Sequence, residues 1–287
     1  MLCIIIHYNH FKYVKKMLID LQSIYEVIEV SGADAAQFLQ GQLTCDINNT
    51  AKQQVIWGAH CNIKGRVVGL FRLIRYQQNF FLIVSYGLAD KLIQTLGRYI
   101  FRSKVSLSLT NYQCYGLLQH RMKNCPENHY IKKNNDYYLN LPDQRILKLS
   151  HRIPDETQSD TNPWKRIGIT LNEPQLYQST CEVFLPNELA LDILNGISFT
   201  KGCYIGQEII ARMHYLGKAK KSICQITHKD FAKPGTIIFQ DTQDAGQIIT
   251  SAKFNDGYIS LASLKKNLTP LLYLDKTEKK PIHLYNT

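Results

Sequence analysis

The chain has 287 residues, 45% hydrophobic and 20% charged, which excludes global disorder and suggests about two domains. No uninterrupted apolar stretch approaches the roughly 18 residues that a bilayer-spanning helix needs. Lys and Arg total 34 against 23 Asp and Glu, a formal charge of +11, which favours an anionic partner over a cationic one; nucleic acid, an acidic protein, a polyanionic cofactor and a merely basic surface all stay open.

Residues 1–16 differ from the rest of the chain and read as an N-terminal extension; their apolar run at 2–6 is too short for a secretory core. From Tyr25 to Val30 a weak alternation predicts a strand. Ser31 is the expected cap of the next helix, with Asp34 completing a capping-box-like pair. Ala35, Phe38 and Leu39 form its buried face and Gly41 its stop. Strands are predicted at 54–60, 66–76 and 79–85, then a helix from Gly87 to Phe101 with Leu88, Leu92 and Leu96 on one face. Strands near 104–109 and 113–119 come next. This order argues for an α+β layer rather than a Rossmann unit. Further strands lie near 129–133, 137–140 and 145–149, before a polar loop at 154–163. A short helix at 188–195 ends at Gly196. Beyond Ser222 the pattern turns to short strands, with turns at 233–235 and 255–257. The expected organisation is an extension at 1–16, an α+β region at 17–221 with 51–119 as a sub-domain, and a small β-domain at 222–287.

Eight cysteines, at positions 3, 45, 61, 114, 125, 181, 203 and 224, include no C-x₂-C pair. Free thiols in a reducing cytoplasm are expected, with no local metal-ligand or four-cysteine iron–sulfur motif. The densest chemistry lies at 197–208, where Lys201-Gly202-Cys203-Tyr204 precedes Gly206-Gln207-Glu208. The periodicity of 207–215 predicts a helix, so Cys203 stands near a helix N-terminus beside Lys201. Both would favour a thiolate, hence a reactive or soft-metal-contacting cysteine. The competing reading is a small residue packed in a glycine-rich turn. Arg212, His214, Lys218, Lys220 and Lys221 lie just beyond, and Glu208 is the one acid between Lys201 and Lys221. Such a cluster suits phosphate or a carboxylate tail, and equally an ordinary basic loop. No aromatic RNA-binding strand motif accompanies it.

A second polar island runs from Gly58 to Arg66. His60 and Cys61 are adjacent, so on a strand they face opposite ways and make no catalytic pair. Lys64-Gly65-Arg66 reads as a charged hairpin turn, with lining an anion site as its alternative. Phosphate-loop, dinucleotide, zinc-hydrolase and nucleophile-elbow motifs are absent from the sequence.

In this order, three segments resemble the YgfZ-type folate-binding proteins. They are Ser31-Gly32-Ala33-Asp34 through Phe38-Leu39-Gln40-Gly41-Gln42-Leu43-Thr44 with Asp46; Ala59-His60-Cys61-Asn62 with Lys64-Gly65-Arg66; and Lys201-Gly202-Cys203-Tyr204 with Gly206-Gln207-Glu208. That family is related to the T-protein (aminomethyltransferase) of the glycine cleavage system and includes proteins that help mature iron–sulfur enzymes. The resemblance implies a multi-segment α+β fold around a folate cavity, with a C-terminal β-domain. It implies tetrahydrofolate as cofactor and iron–sulfur client enzymes, including tRNA-thiolating ones, as partners. Tyr25 and Trp164 stand where the family's two folate-contacting tryptophans are expected, and the family's cysteine falls on Cys203. The cavity is expected to be apolar, with Arg212 and Lys218 meeting the anionic tail.

Residues 65–71 carry no carboxylate where the T-protein has its catalytic acid, and Thr170 replaces a second acid, with Glu173 nearby. The expected function is therefore a folate-binding accessory protein for iron–sulfur enzymes. Two alternatives remain. One is a folate-dependent one-carbon transferase or demethylase drawing on Asp46 or Glu208. The other is a module that binds tRNA directly.

Overall fold

The computed structural model describes residues 18–49, 53–215, 220–266, 268, 271–275, 277 and 279–285; the extension at 1–16 and Lys218 lie outside them. The chain opens with β1 (Leu18–Asp20), β2 (Tyr25–Ser31) and α1 (Ala35–Gln42). Next come β3 (Val55–Cys61), β4 (Val67–Tyr76), β5 (Asn79–Ser85), α2 (Ala89–Gly97), β6 (Ser106–Leu109) and β7 (Gln113–Leu117). β8 (His129–Lys133), β9 (Asp136–Leu141), β10 (Arg145–Ser150), β11 (Thr157–Gln158), α3 (Asn162–Thr170) and α4 (Gln207–Tyr215) complete the α+β part. β12 (Lys221–His228), β13 (Ile237–Gln240), β14 (Gln243–Phe254), β15 (Gly257–Lys265), β16 (Leu272–Tyr273) and β17 (Pro281–Leu284) close a six-stranded barrel. The expected α+β class with a terminal β-domain is thus observed. Among the described residues no helix is long and apolar enough to cross a membrane.

Two sheets face each other. One has the order β3-β4-β5-β2-β6, the other β11-β1-β7-β10-β9-β8. The strand alternation of β4 and β5 explains why both of their faces are buried. Phe71, Leu73, Phe80, Leu82 and Val84 pack with α1 and α2, against Phe38, Leu39, Leu92 and Leu96. Ile74, Phe81 and Ile83 face the second sheet and pack with Tyr137, Leu139, Leu147 and Trp164. Arg72 shares the parity of Ile74 and so enters the space between the sheets.

Several boundaries differ from expectation. Ser31 ends β2, and Asp34 occupies the cap of α1 without a side-chain capping bond. Its Oδ2 instead accepts the Lys104 backbone N–H at 2.7 Å, a distant partner winning over the local one. α1 runs through Gly41 to Gln42. The helix expected at 188–195 is only a 3₁₀ turn at Pro186–Leu189, stopped by Ala190 at φ 55°. Pro163 stands in the first turn of α3, an element the sequence reading did not place. Residues 51–119 do not form a unit of their own: β2 lies between β5 and β6, and β7 belongs to the other sheet.

Candidate functional site

The three sequence islands meet in the fold. Lys201 is buried, and its Nζ donates to the carbonyls of Leu43 (2.7 Å) and Cys45 (2.9 Å). Burial pushes its pKa down to about 8. Thr44 Oγ1 donates to Gly196 O at 2.6 Å and accepts from Ala59 N–H at 3.0 Å. Gly206 has φ +80°, and a Cβ there would lie 2.7 Å from Asn62 O, so no side chain fits. Gln207 Oε1 accepts from the Tyr204 backbone N–H at 3.3 Å. Much of the dense motif therefore ties the 201–207 turn to the segments at 43–45 and 61–65.

That geometry corrects the role expected for Lys201. Its ammonium turns inward to two carbonyls and is committed there, away from the work of stabilising a neighbouring thiolate. Cys203 is exposed, unlike the other described cysteines, which are buried or half-buried. α4 begins only at Gln207, with Gly206 in a left-handed conformation between them. Gly202, Glu208 and Arg212 are also exposed. Arg66 pairs with Glu188 at 3.2 Å and donates to Val183 O, so its guanidinium is engaged within the fold, whereas Lys64 is exposed.

A cavity opens between the sheets, lined by Tyr25, Trp57, Arg72, Arg145, Trp164, Lys165 and Glu173, together with apolar neighbours that include Leu70, Phe71 and Ile83. Trp164 is 2% exposed, and its Nε1 donates to Tyr25 Oη at 3.2 Å. Gly116 lies under the indole; a Cβ there would come within 2.7 Å of the ring. The Arg72 guanidinium stacks 4.1 Å from the Trp57 ring centre, and that of Arg145 lies 5.1 Å from Trp164. Glu173 joins the two sheets: Oε2 lies 2.7 Å from Arg72 Nη2, and Oε1 is 2.8 Å from Arg145 Nη2. Burial alone would raise the Glu173 pKa, but the two guanidiniums outweigh it and hold the carboxyl below its usual range. Burial lowers the pKa of Lys165. The cavity volume is about 30 Å³, room for about two waters.

Tyr25 and Trp164 therefore come together, as the sequence reading placed them. The expectation of an apolar cavity fails, because Arg72 and Arg145 enter it with Glu173. Trp57, Arg72, Arg145 and Lys165 were missed; the signal for Arg72 was an arginine in the middle of the apolar strand Val67–Tyr76, whose other arginine, Arg75, stands near its exposed end. Cys203, Arg212, Asp46 and Glu208 do not line the cavity. Asp46 instead organises its own loop, accepting from Gln40, Asn48 and Asn49. Among the described residues no group of three or more His, Cys, Asp or Glu is placed to hold a metal.

No family model matches the chain. An uncharacterized protein of Haemophilus influenzae is 32% identical over 251 residues, covering 85% of this chain and 87% of that one. The tRNA-modifying protein YgfZ of Blochmanniella pennsylvanica is 30% identical over 228 residues, 70% of this chain and 69% of its own. The chain belongs to the YgfZ family. The YgfZ protein of Colwellia psychrerythraea is 28% identical over 278 residues, 87% of this chain and 85% of that protein. The fold is shared more widely. The aminomethyltransferase T of the glycine cleavage system from Bartonella henselae aligns with a TM-score of 0.65 at 13% identity, over 86% of this chain and 78% of its own. At that identity the likeness is one of fold. Within that shared fold, this YgfZ-family chain carries a carboxylate clamped by two arginines in its central cavity.

Proposed function

We propose that this protein binds a reduced folate between Tyr25, Trp57 and Trp164 and supports the assembly or repair of iron–sulfur enzymes, including those that thiolate tRNA. Cys203 is its working thiol in this reading. The observation that carries the folate part is the meeting of Tyr25 and Trp164, 139 residues apart, hydrogen-bonded on one cavity wall. Their rings offer flat apolar faces to a pterin, and the polar groups beside them fix its orientation. The residues fit the cofactor in chemistry. In volume they must part, since about 30 Å³ is far less than a pterin occupies. The exposure of Cys203 supports contact with a client protein. A single thiol supplies one of the four ligands a cluster usually takes, so the client provides the others.

The accessory reading is favoured over a one-carbon transferase by the state of Glu173. A carboxylate held ionised by two guanidiniums is a weak proton acceptor, poorly suited to general-base work.

Tetrahydrofolate titrated by calorimetry tests the cavity. Trp164→Ala is expected to weaken binding about tenfold or more, the scale of losing an aromatic stacking face. Unchanged affinity would overturn the assignment. Both tryptophans of the chain line the cavity, so quenching of the intrinsic fluorescence reports the same event. The thiol role has its own test. Cys203→Ala is expected to leave tRNA thiolation deficient in a strain lacking the native protein, and full restoration would refute that role.

A further inference from the structure

The cavity leaves the basic segment after Cys203 without a task, because Arg212 does not line it. Between Glu208 and Asp230 the sequence has Arg212, Lys218, Lys220, Lys221 and Lys229 and no Asp or Glu. The fold adds two lysines from a distant segment. β12 pairs antiparallel with β15, and the register sets Lys221 directly opposite Lys265. One step further, the Lys266 N–H donates to Lys220 O at 3.0 Å, so these two lysines are opposed as well. Directly opposed side chains share a face with Cβ atoms about 5 Å apart, and like charges there repel. Lys220, Lys265 and Lys266 are exposed, and Lys221 is half-buried. Lys265 Nζ donates to the Asp244 carbonyl, and Asp241 and Asp244 stand at the turn beside it. Among the described residues, none of the four lysines forms an ion pair with a carboxylate.

Aromatic rings stand close to this charge. α4 ends at Tyr215, five residues before Lys220, so at most about 18 Å of chain separates them. Tyr215 is 67% exposed. Its ring meets His214 edge-on at 4.9 Å, and His214 stacks on Phe199 at 3.7 Å. Phe199 packs against the core, which anchors the group. Arg212, one turn earlier on α4, is exposed. Ammonium groups act as point charges that suit phosphate oxygens spread along a backbone. An exposed ring beside them offers a stacking face to an unpaired base. An acidic peptide would use the charges and leave the ring idle.

We propose that the end of the β12–β15 ribbon, together with Tyr215, is an RNA-binding surface. Lys220, Lys221, Lys265 and Lys266 meet backbone phosphates, and Tyr215 stacks on an unpaired base. The phosphates relieve the repulsion that the register builds between the opposed lysines. This surface is separate from the cavity, and its binding does not depend on the folate reading.

The probe is a fluorescently labelled, unmodified tRNA transcript, titrated with the full chain and read by anisotropy between about 50 and 200 mM salt. Four phosphate contacts predict a slope of about −3 to −4 for log affinity against log salt. Lys221→Gln combined with Lys265→Gln is expected to weaken binding about tenfold or more at about 100 mM salt and to make the slope shallower by about 1.5. Lys229→Gln combined with Lys233→Gln removes the same charge at the other end of β12, where both lysines are exposed, and should change affinity by less than about twofold. Tyr215→Ala is expected to cost about fivefold or more. Circular dichroism checks each fold; if the first pair does not fold, Lys220→Gln combined with Lys266→Gln decides in its place. The proposal is overturned by absence of binding at about 100 mM salt, by equal losses in the two lysine pairs, or by unchanged affinity in Tyr215→Ala. Polyglutamate that displaces the probe as well as unlabelled tRNA does also overturns it, and assigns the surface to an acidic protein instead.

Discussion

Glu173→Gln is expected to lower the melting temperature by about 6–20 °C at neutral pH. Removing one partner of a buried charge cluster costs about 3–5 kcal/mol, because the groups left behind stay buried and unpaired. For a protein of this size each kcal/mol corresponds to about 2–4 °C. The cost is high here because Glu173 is the counter-charge of both sheets, touching Arg72 of β4 and Arg145 of β10. Glutamine keeps the shape and can accept from one arginine, but it neutralises neither. The effect depends on pH in a defined direction. The folded-state pKa of Glu173 is depressed, so its contribution is present above the unfolded carboxyl value of about 4.3 and is lost as pH falls through the lower folded value. The gap between wild type and variant should therefore close as the solution is acidified below about pH 4. Thermal unfolding monitored by circular dichroism at pH 7 and in the acid range measures both. A neutral-pH loss below about 1 kcal/mol, within reach of an ordinary surface change, would mean that the cluster is not a strut between the two sheets.

Lys201→Met removes the other long-range clamp. Methionine fills the aliphatic volume of the lysine stem but donates nothing to Leu43 O and Cys45 O. Each buried acceptor left without a partner costs about 1–3 kcal/mol, so the pair predicts about 2–6 kcal/mol. Urea unfolding should show this as a lowered midpoint. The pH dependence has the same sense as that of Glu173, in a higher window, because both folded-state pKa values are lowered. Burial lowers the Lys201 pKa to about 8, whereas the unfolded chain has about 10.4. Between those values the unfolded state binds more protons, so Lys201 makes stability rise with pH across that window. Below it, the burial of its charge is a constant cost. The neutral amine still has two N–H donors, one for each carbonyl. The advantage of wild type over Lys201→Met is therefore expected to widen between pH 8 and 10, and a gap that shrinks there would contradict this placement.

Local signals were legible wherever one element decides its own form. The alternation at β2, the apolar runs of β4 and β5, and the short strands beyond Lys221 are short-range properties of side-chain period and turn chemistry. Each came out within a few residues of its place. The α+β class and the terminal β-domain emerged from their order along the chain. The three motif islands also stood out, because two glycines beside a lysine, a cysteine and a tyrosine form an unusual local pattern.

Other features depended on partners far along the chain. Ser31 lost the cap position because Asp34 met Lys104 N–H, 70 residues away. Lys201 reads locally as the neighbour of Cys203; its actual partners lie 158 and 156 residues earlier. Arg72 reads as a charge in the middle of an apolar strand. Only when β4 is covered on both faces does its parity carry it into a cavity with Glu173 and Arg145.

By itself, then, the amino-acid order determined which segments become strands and helices and which residues carry unusual chemistry, because period, propensity and turn formation act over a few residues. Tertiary structure alone decided which sheet each strand joins and what each charged group faces. Pairing and burial are settled between segments far apart in the chain, where a charge that enters the interior must find its counterpart or pay with stability.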